Sequence, residues 1–76
     1  MILEFLADGF EEIEALTPVD VIRRSGLDIK TVSVGKEAGK CVRGAHGIMV
    51  NADITMSEAL ELYPDPDMVI LPGGMP

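Results

Sequence analysis

The chain has 76 residues and a mass of 8.1 kDa, room for one domain at most, which excludes a multidomain architecture. Apolar residues make up 47% and charged residues 25%, the composition of a chain that buries a core rather than a disordered acidic tail. Thirteen acidic residues against six basic ones give a net charge of −7 and a pI near 4.4, which opposes phosphate neutralisation and argues against nucleic acid and anionic membranes as partners.

A single cysteine, Cys41, allows no intrachain disulfide and no cysteine-rich zinc site, so a reducing cytoplasm fits best. No apolar run approaches the ~20 residues that span a bilayer, and the N-terminus lacks a basic leader, so a soluble, untargeted chain is expected. The charge is segregated. All six basic residues (Arg23, Arg24, Lys30, Lys36, Lys40, Arg43) fall between positions 23 and 43, while six acids precede and five follow that stretch. Such a pattern steers an anionic ligand or pairs faces across an interface; its plainer reading is a solvated surface.

Met1 to Ala7 is short and apolar and predicts a buried parallel-type strand, ended by Asp8-Gly9. Asp8 and Glu11 form a capping-box variant that opens a helix from about Phe10 to Ser25, with a kink expected near Thr17 because Pro18 lacks an N–H, and with Gly26 as the stop. Asp28 to Val34 alternates and is β-branched, a second strand. A polar loop over Gly35 to Lys40 leads to a short hairpin of Cys41 to Arg43 and Ile48 to Val50. Thr55-Met56-Ser57-Glu58 is a full capping box opening a short helix to about Leu62, and Met68 to Leu71 is the last strand.

The order predicts an α/β fold with a parallel sheet between helices. Two helices are too few to cover both faces of such a sheet. The remaining layer is therefore expected from a partner chain or further sequence, and residues 1–76 are expected to be part of a single domain with no internal boundary.

In open α/β sheets the site lies beyond the carboxyl ends of the strands. Two loops leave such ends: Ala7-Asp8-Gly9, leading to the helix with Glu14, and Pro72-Gly73-Gly74. If the first and last strands are neighbours in a flavodoxin-like order, both loops face one crevice. Helical spacing puts Glu14 on a face with Phe10, Thr17 and Val21, which predicts a desolvated carboxyl able to exchange a proton near neutral pH. Glu11 and Glu12 point elsewhere on this reading, and Glu12 is expected to matter little; the alternative is that Glu14 faces solvent. The tandem glycines Gly73 and Gly74 allow backbone N–H groups to approach an oxyanion, or form an ordinary turn.

Three ordered blocks carry a resemblance: Leu6-Ala7-Asp8-Gly9-Phe10-Glu11-Glu12-Ile13-Glu14-Ala15, then Pro18-Val19-Asp20-Val21-Ile22-Arg23-Arg24-Ser25-Gly26, then Val69-Ile70-Leu71-Pro72-Gly73-Gly74-Met75-Pro76. Together they resemble the N-terminal portion of the ThiJ/PfpI superfamily, in its branch of the parkinsonism-associated deglycase and the proteins assigned to thiazole monophosphate biosynthesis. The resemblance implies a flavodoxin-like, class I glutamine amidotransferase-related fold of which this chain is the N-terminal half, and a homodimer. It also implies a site in which Glu14 and the Gly74 N–H, beside Gly73, serve a nucleophilic cysteine downstream of this sequence. Its histidine neighbour is absent from this sequence too.

Implied activities are glyoxalase III-like or deglycase-like chemistry on small carbonyl electrophiles; a non-enzymatic redox sensor of oxidative stress or chaperone-like dimer; and a peptidase- or amidotransferase-like hydrolase. The 76 residues alone are expected to be inactive. Arg24 and Arg43 match arginines that in the family lie near the dimer interface; a solvated role is the equal alternative. Glu4 departs from the pattern, since the family's first strand is normally apolar there, and burying it unpaired costs several kcal/mol or neutralises it.

The remaining residues read more plainly. Cys41, between Lys40 and Arg43 with His46 five positions on, reads as inert filler rather than a nucleophile. Gly35 to Cys41 imitates a P-loop but has one residue too few between its glycines and cysteine in place of Ser/Thr, so no nucleotide is expected. Met49, Met56 and Met68 read as core filler, and one His and one Cys predict neither a metal site nor a cofactor.

Overall fold

The computed structural model describes residues 1–35 and 39–74. Strand β1 (Ile2–Leu6) is followed by helix α1 (Glu12–Arg24), β2 (Ile29–Ser33), the hairpin strands β3 (Cys41–Arg43) and β4 (Met49–Asn51), a two-residue strand β5 (Ile54–Thr55), helix α2 (Met56–Leu62) and β6 (Met68–Ile70). The main sheet is parallel with order β5-β2-β1-β6, so the first and last strands are neighbours, with Ile2 opposite Met68 and Glu4 opposite Ile70. β3 and β4 form a separate antiparallel pair in which Val42 faces Val50.

Side chains of β1 alternate between two cores, as a pleated strand requires. Leu3 packs with Val32, Ile54 and Ala59 beneath α2 on one face; Leu6 packs with Phe10, Ala15 and Val42 beneath α1 and the hairpin on the other. Each face thus receives one helix, and neither is left wholly bare. Exposed apolar side chains include Met68, Val69 and Leu71 on β6 and its exit. The β5 edge was not anticipated, because two residues leading into a cap carry no periodic signal.

Thr55 and Glu58 form the expected capping box, with Glu58 N–H donating to Thr55 Oγ1 at 3.2 Å and Thr55 N–H to Glu58 Oε1 at 3.0 Å. α1 ends as expected, with Ser25 as its C-cap and Gly26 beyond it at φ 86°, but differs from expectation at its start. Its cap is Glu11, which accepts from the Ile13 and Glu14 N–H groups, whereas Asp8 accepts from Arg43 N–H at 3.0 Å and ties the first loop to the hairpin. The helix runs without interruption through Pro18.

The methionine expectation holds only for Met56, which packs on a core; Met49 and Met68 are exposed, as is Cys41, which is therefore not a buried filler. Within the loop expected over Gly35 to Lys40, positions 36–38 lie outside the described residues, as do Met75 and Pro76 of the last sequence block.

Candidate functional site

Parallel strands direct β1 and β6 toward the same end of the sheet, so the loops that follow them meet. Glu11 N–H donates to the Gly73 carbonyl at 2.7 Å, and Gly73 N–H donates to Glu14 Oε1 at 3.1 Å. The sequence therefore brought the right partners together: Glu14, Gly73 and Gly74 occupy one end of the sheet. Burial was assigned to the wrong acid. Glu14 is exposed, and the inward face of α1 is Glu12, Ala15 and Val19. The small Ala15 and Val19 let the helix lie close to the sheet, while Thr17 and Val21 of the expected face are exposed and only Phe10, ahead of the helix, is buried.

The glycines explain the close approaches. A Cβ on Gly73 would stand 2.6 Å from Glu14 Oε1, and one on Gly74 would collide with the Gly9 carbonyl and Phe10 Cα. Gly74 borders two cavities. One, of about 370 Å³, opens at the strand ends between Asp8, Gly9, Leu71 and Pro72. The other, of about 430 Å³, is lined by Glu11, Glu14, Ala45, His46 and Gly74.

His46 and Glu12 are the residues that sequence reasoning missed. Glu12 is buried; its Oε2 accepts the N–H of His46 at 2.7 Å and of Ile48 at 3.4 Å, and its Oε1 lies 2.8 Å from His46 Nδ1. Burial alone would raise this carboxyl's pKa, but the bonds from His46 and Ile48 outweigh it and hold the group at about 2. The same contact raises the pKa of His46, with the nearby Glu11 adding to the effect. Gly44 makes room for the arrangement, since a Cβ there would run into the Glu12 carboxylate. The available signal was a carboxylate in register with Ala15 and Val19; the N–H groups of His46 and Ile48 that it accepts from lie in the hairpin turn.

Glu11, Glu12 and His46 bring three potential metal-ligating atoms within 4.8 Å of one another, which the sequence reading did not foresee. Those atoms are already engaged: Glu12 accepts from the hairpin and Glu11 caps α1. Arg24 lies outside the site, paired with Asp20 at 3.0 Å, while Arg43 is exposed on the hairpin beside it. Glu4, the departure noted in the first strand, is fully buried with neither oxygen hydrogen-bonded, and desolvation raises its pKa to about 7. Among the described residues no helix is long and apolar enough to cross a membrane.

This flavodoxin-like arrangement, with a glutamate bonded to a Gly-Gly loop, agrees with the family comparison. Residues 1–76 match the DJ-1/PfpI family model, and the chain belongs to that family. The Parkinson disease protein 7 homolog of Danio rerio is 39% identical over 74 residues, covering 96% of this chain and 37% of that protein. Deglycase TK1284 of Thermococcus kodakarensis is 36% identical over 74 residues, covering 96% of this chain and 41% of that protein. Among solved structures, oxidized DJ-1 of Toxoplasma gondii superposes with a TM-score of 0.87 at 36% identity over 99% of this chain and 39% of its own. The DJ-1 superfamily protein STM1931 from Salmonella typhimurium, as its C103A mutant, gives 0.86 at 37% identity over 96% of this chain and 37% of its own. The chain thus spans well under half the length of the relatives it matches.

Proposed function

We propose that these residues are the N-terminal half of a DJ-1/PfpI protein whose intact form acts on small carbonyl electrophiles, in the manner of a glyoxalase III or deglycase. A cysteine nucleophile would come from sequence downstream. The observation that carries this reading is the 3.1 Å bond from Gly73 N–H to Glu14 Oε1, which sets a carboxylate against a glycine loop at the edge of a cavity. In that role Glu14 carries the proton to and from the reacting oxygen, and Gly74 N–H stabilises the oxyanion. The name of the Thermococcus relative, a deglycase, supports the substrate class.

The reading places the protein in the cytoplasm. It has no need of nucleic acid, membrane, cofactor or metal, and it predicts that residues 1–76 alone neither turn over a carbonyl substrate nor persist as a stable monomer. A homodimer with Arg24 and Arg43 near its interface belongs to the same proposal. The exposed Ile13, Leu16, Ile48 and Met49 on α1 and the hairpin favour it, and equally the alternative of a redox-sensing or chaperone-like dimer.

Turnover of methylglyoxal by the intact protein is the test, with Glu14→Gln expected to lose at least about a hundredfold in kcat, the scale of general acid–base catalysis. Full activity in Glu14→Gln would sink the reading. Activity in the 76-residue chain that disappears in Cys41→Ser would instead make Cys41 the nucleophile.

A further inference from the structure

We propose that Glu12 and His46 act as one unit in the candidate site, the buried carboxylate holding Nδ1 of the imidazole so that Nε2 hydrogen-bonds the carbonyl oxygen of a small neutral substrate. The inference rests on the carbonyl-directed reading above and adds to it a specificity residue.

Seating the hairpin does not require the imidazole. The bond from His46 N–H to Glu12 Oε2, at 2.7 Å, is one that any non-proline residue at that position makes. The second bond, Nδ1 to Glu12 Oε1 at 2.8 Å, is additional and fixes the ring itself. Glu12 is an immobile anchor at 4% exposure, whereas the ring is 71% exposed and lines the cavity that holds Glu14 and Gly74. With Nδ1 committed to a carboxylate, Nε2 is the nitrogen left for a ligand.

The charged groups around that nitrogen define what it binds. Glu12 is bonded to the ring, Glu11 and Glu14 share the cavity wall, and Arg43 lies on the strand before the turn, its guanidinium close to Gly47. Three carboxylates favour the imidazolium, in which both ring nitrogens donate, and they repel an anionic substrate. A neutral carbonyl oxygen accepts from Nε2–H without that repulsion. Once the proton leaves, the Nδ1–H to Glu12 bond keeps the other tautomer in place, Nε2 becomes an acceptor, and the carbonyl contact is lost.

The experiment is methylglyoxal turnover by the intact protein across pH 6 to 9, for wild type, His46→Gln, Glu12→Gln and Glu14→Gln. His46→Gln retains the backbone seat, and its KM should rise about tenfold, the loss of one charge-assisted hydrogen bond, with kcat little changed. Wild-type KM should climb as pH rises through the imidazole titration, a climb absent in His46→Gln and displaced to lower pH in Glu12→Gln. An unchanged KM and pH profile in His46→Gln, beside an inactive Glu14→Gln, would overturn the pair while leaving the carbonyl reading intact. If Glu14→Gln stays fully active that reading fails, and nitrogen-15 NMR of the His46 ring with hydroxyacetone as probe decides the pair alone. Movement of the Nε2 resonance supports it, and an unmoved resonance overturns it.

Discussion

Glu4, in the middle of the parallel sheet, and Glu12, at the first turn of α1, are the two acidic side chains buried among the described residues, and the fold treats them in opposite ways. Both sit on the side of the sheet that α1 covers, since Glu4 shares the pleat of Leu6 and Glu12 the helix face of Ala15. Around Glu12 the hairpin offers N–H groups, and the carboxyl stays ionised. Around Glu4 the strand backbones have used their donors on one another, its cross-strand neighbours are Thr31 and Ile70, and Thr31 Oγ1 is engaged with Asp53. Burial therefore does not set a carboxyl's state; the supply of unspent donors does. Turns have such donors in surplus and sheet interiors do not.

The largest effect should come from taking the carboxylate away from the hairpin. In the intact protein, Glu12→Ala is expected to lower the melting temperature more than any substitution discussed below. It should also bring hydrogen exchange at the His46 and Ile48 amides to the rate of an open loop. Retained protection there would break the comparison. Next is Gly44→Ala, whose methyl would overlap the Glu12 carboxylate and should cost about 1–3 kcal/mol, the range for overpacking. Denaturant unfolding would measure it.

At the other carboxyl the sign reverses. Glu4→Leu should stabilise the protein at neutral pH by about 1–3 kcal/mol, because it removes a buried polar group with no partner. The pH dependence sharpens the contrast further. Glu4 is raised from 4.5 to about 7, so the folded state holds a proton the unfolded chain gives up; stability falls as pH rises between these values and then levels off. Glu12 is lowered from 4.5 to about 2, so its contribution is complete above 4.5 and is lost as pH falls toward 2. His46, raised from 6.5, contributes fully below that value and loses its contribution as pH rises past it. Thermal melts from pH 3 to 9 should slope downward between pH 5 and 7 in wild type and lose that part of the slope in Glu4→Leu. A slope that survives the substitution removes Glu4 from the account. The smallest effect expected is Thr55→Ala, about 1 kcal/mol for a half-buried helix cap remote from both carboxyls.

These two carboxyls also mark what could be read before the structure was known. Strand β1 and the Thr55 capping box followed from a short apolar run and cap chemistry, which act locally, whereas the adjacency of the first and last strands entered only as a condition of a flavodoxin-like order and is met by the β1–β6 pairing. Glu4 was recognised as anomalous because it interrupts such a run. Glu12 was misplaced because α1 carries two apolar stripes, and helical periodicity does not say which one meets the sheet. Helical spacing alone pointed to the face of Phe10, Glu14, Thr17 and Val21, but close packing favours the narrow stripe of Ala15 and Val19 and carries Glu12 inward with it. His46 could not be placed at all, since its partner is 34 residues away in sequence.

The register of the central strands also constrains how the molecule is assembled. β1 pairs with β2 through Ile2 and Ile29, but its other neighbour begins at Met68, so β1 is synthesised well before the strand that closes its second edge. Contacts this distant in sequence slow folding, because the loop must close before the pairing rewards it. During synthesis at about 5–20 residues per second, the β1 edge therefore stays open for some seconds after β2 has emerged. An apolar strand with an unpaired edge is a template for the wrong partner, and a buried acid in its centre lowers its tendency to stack on a copy of itself.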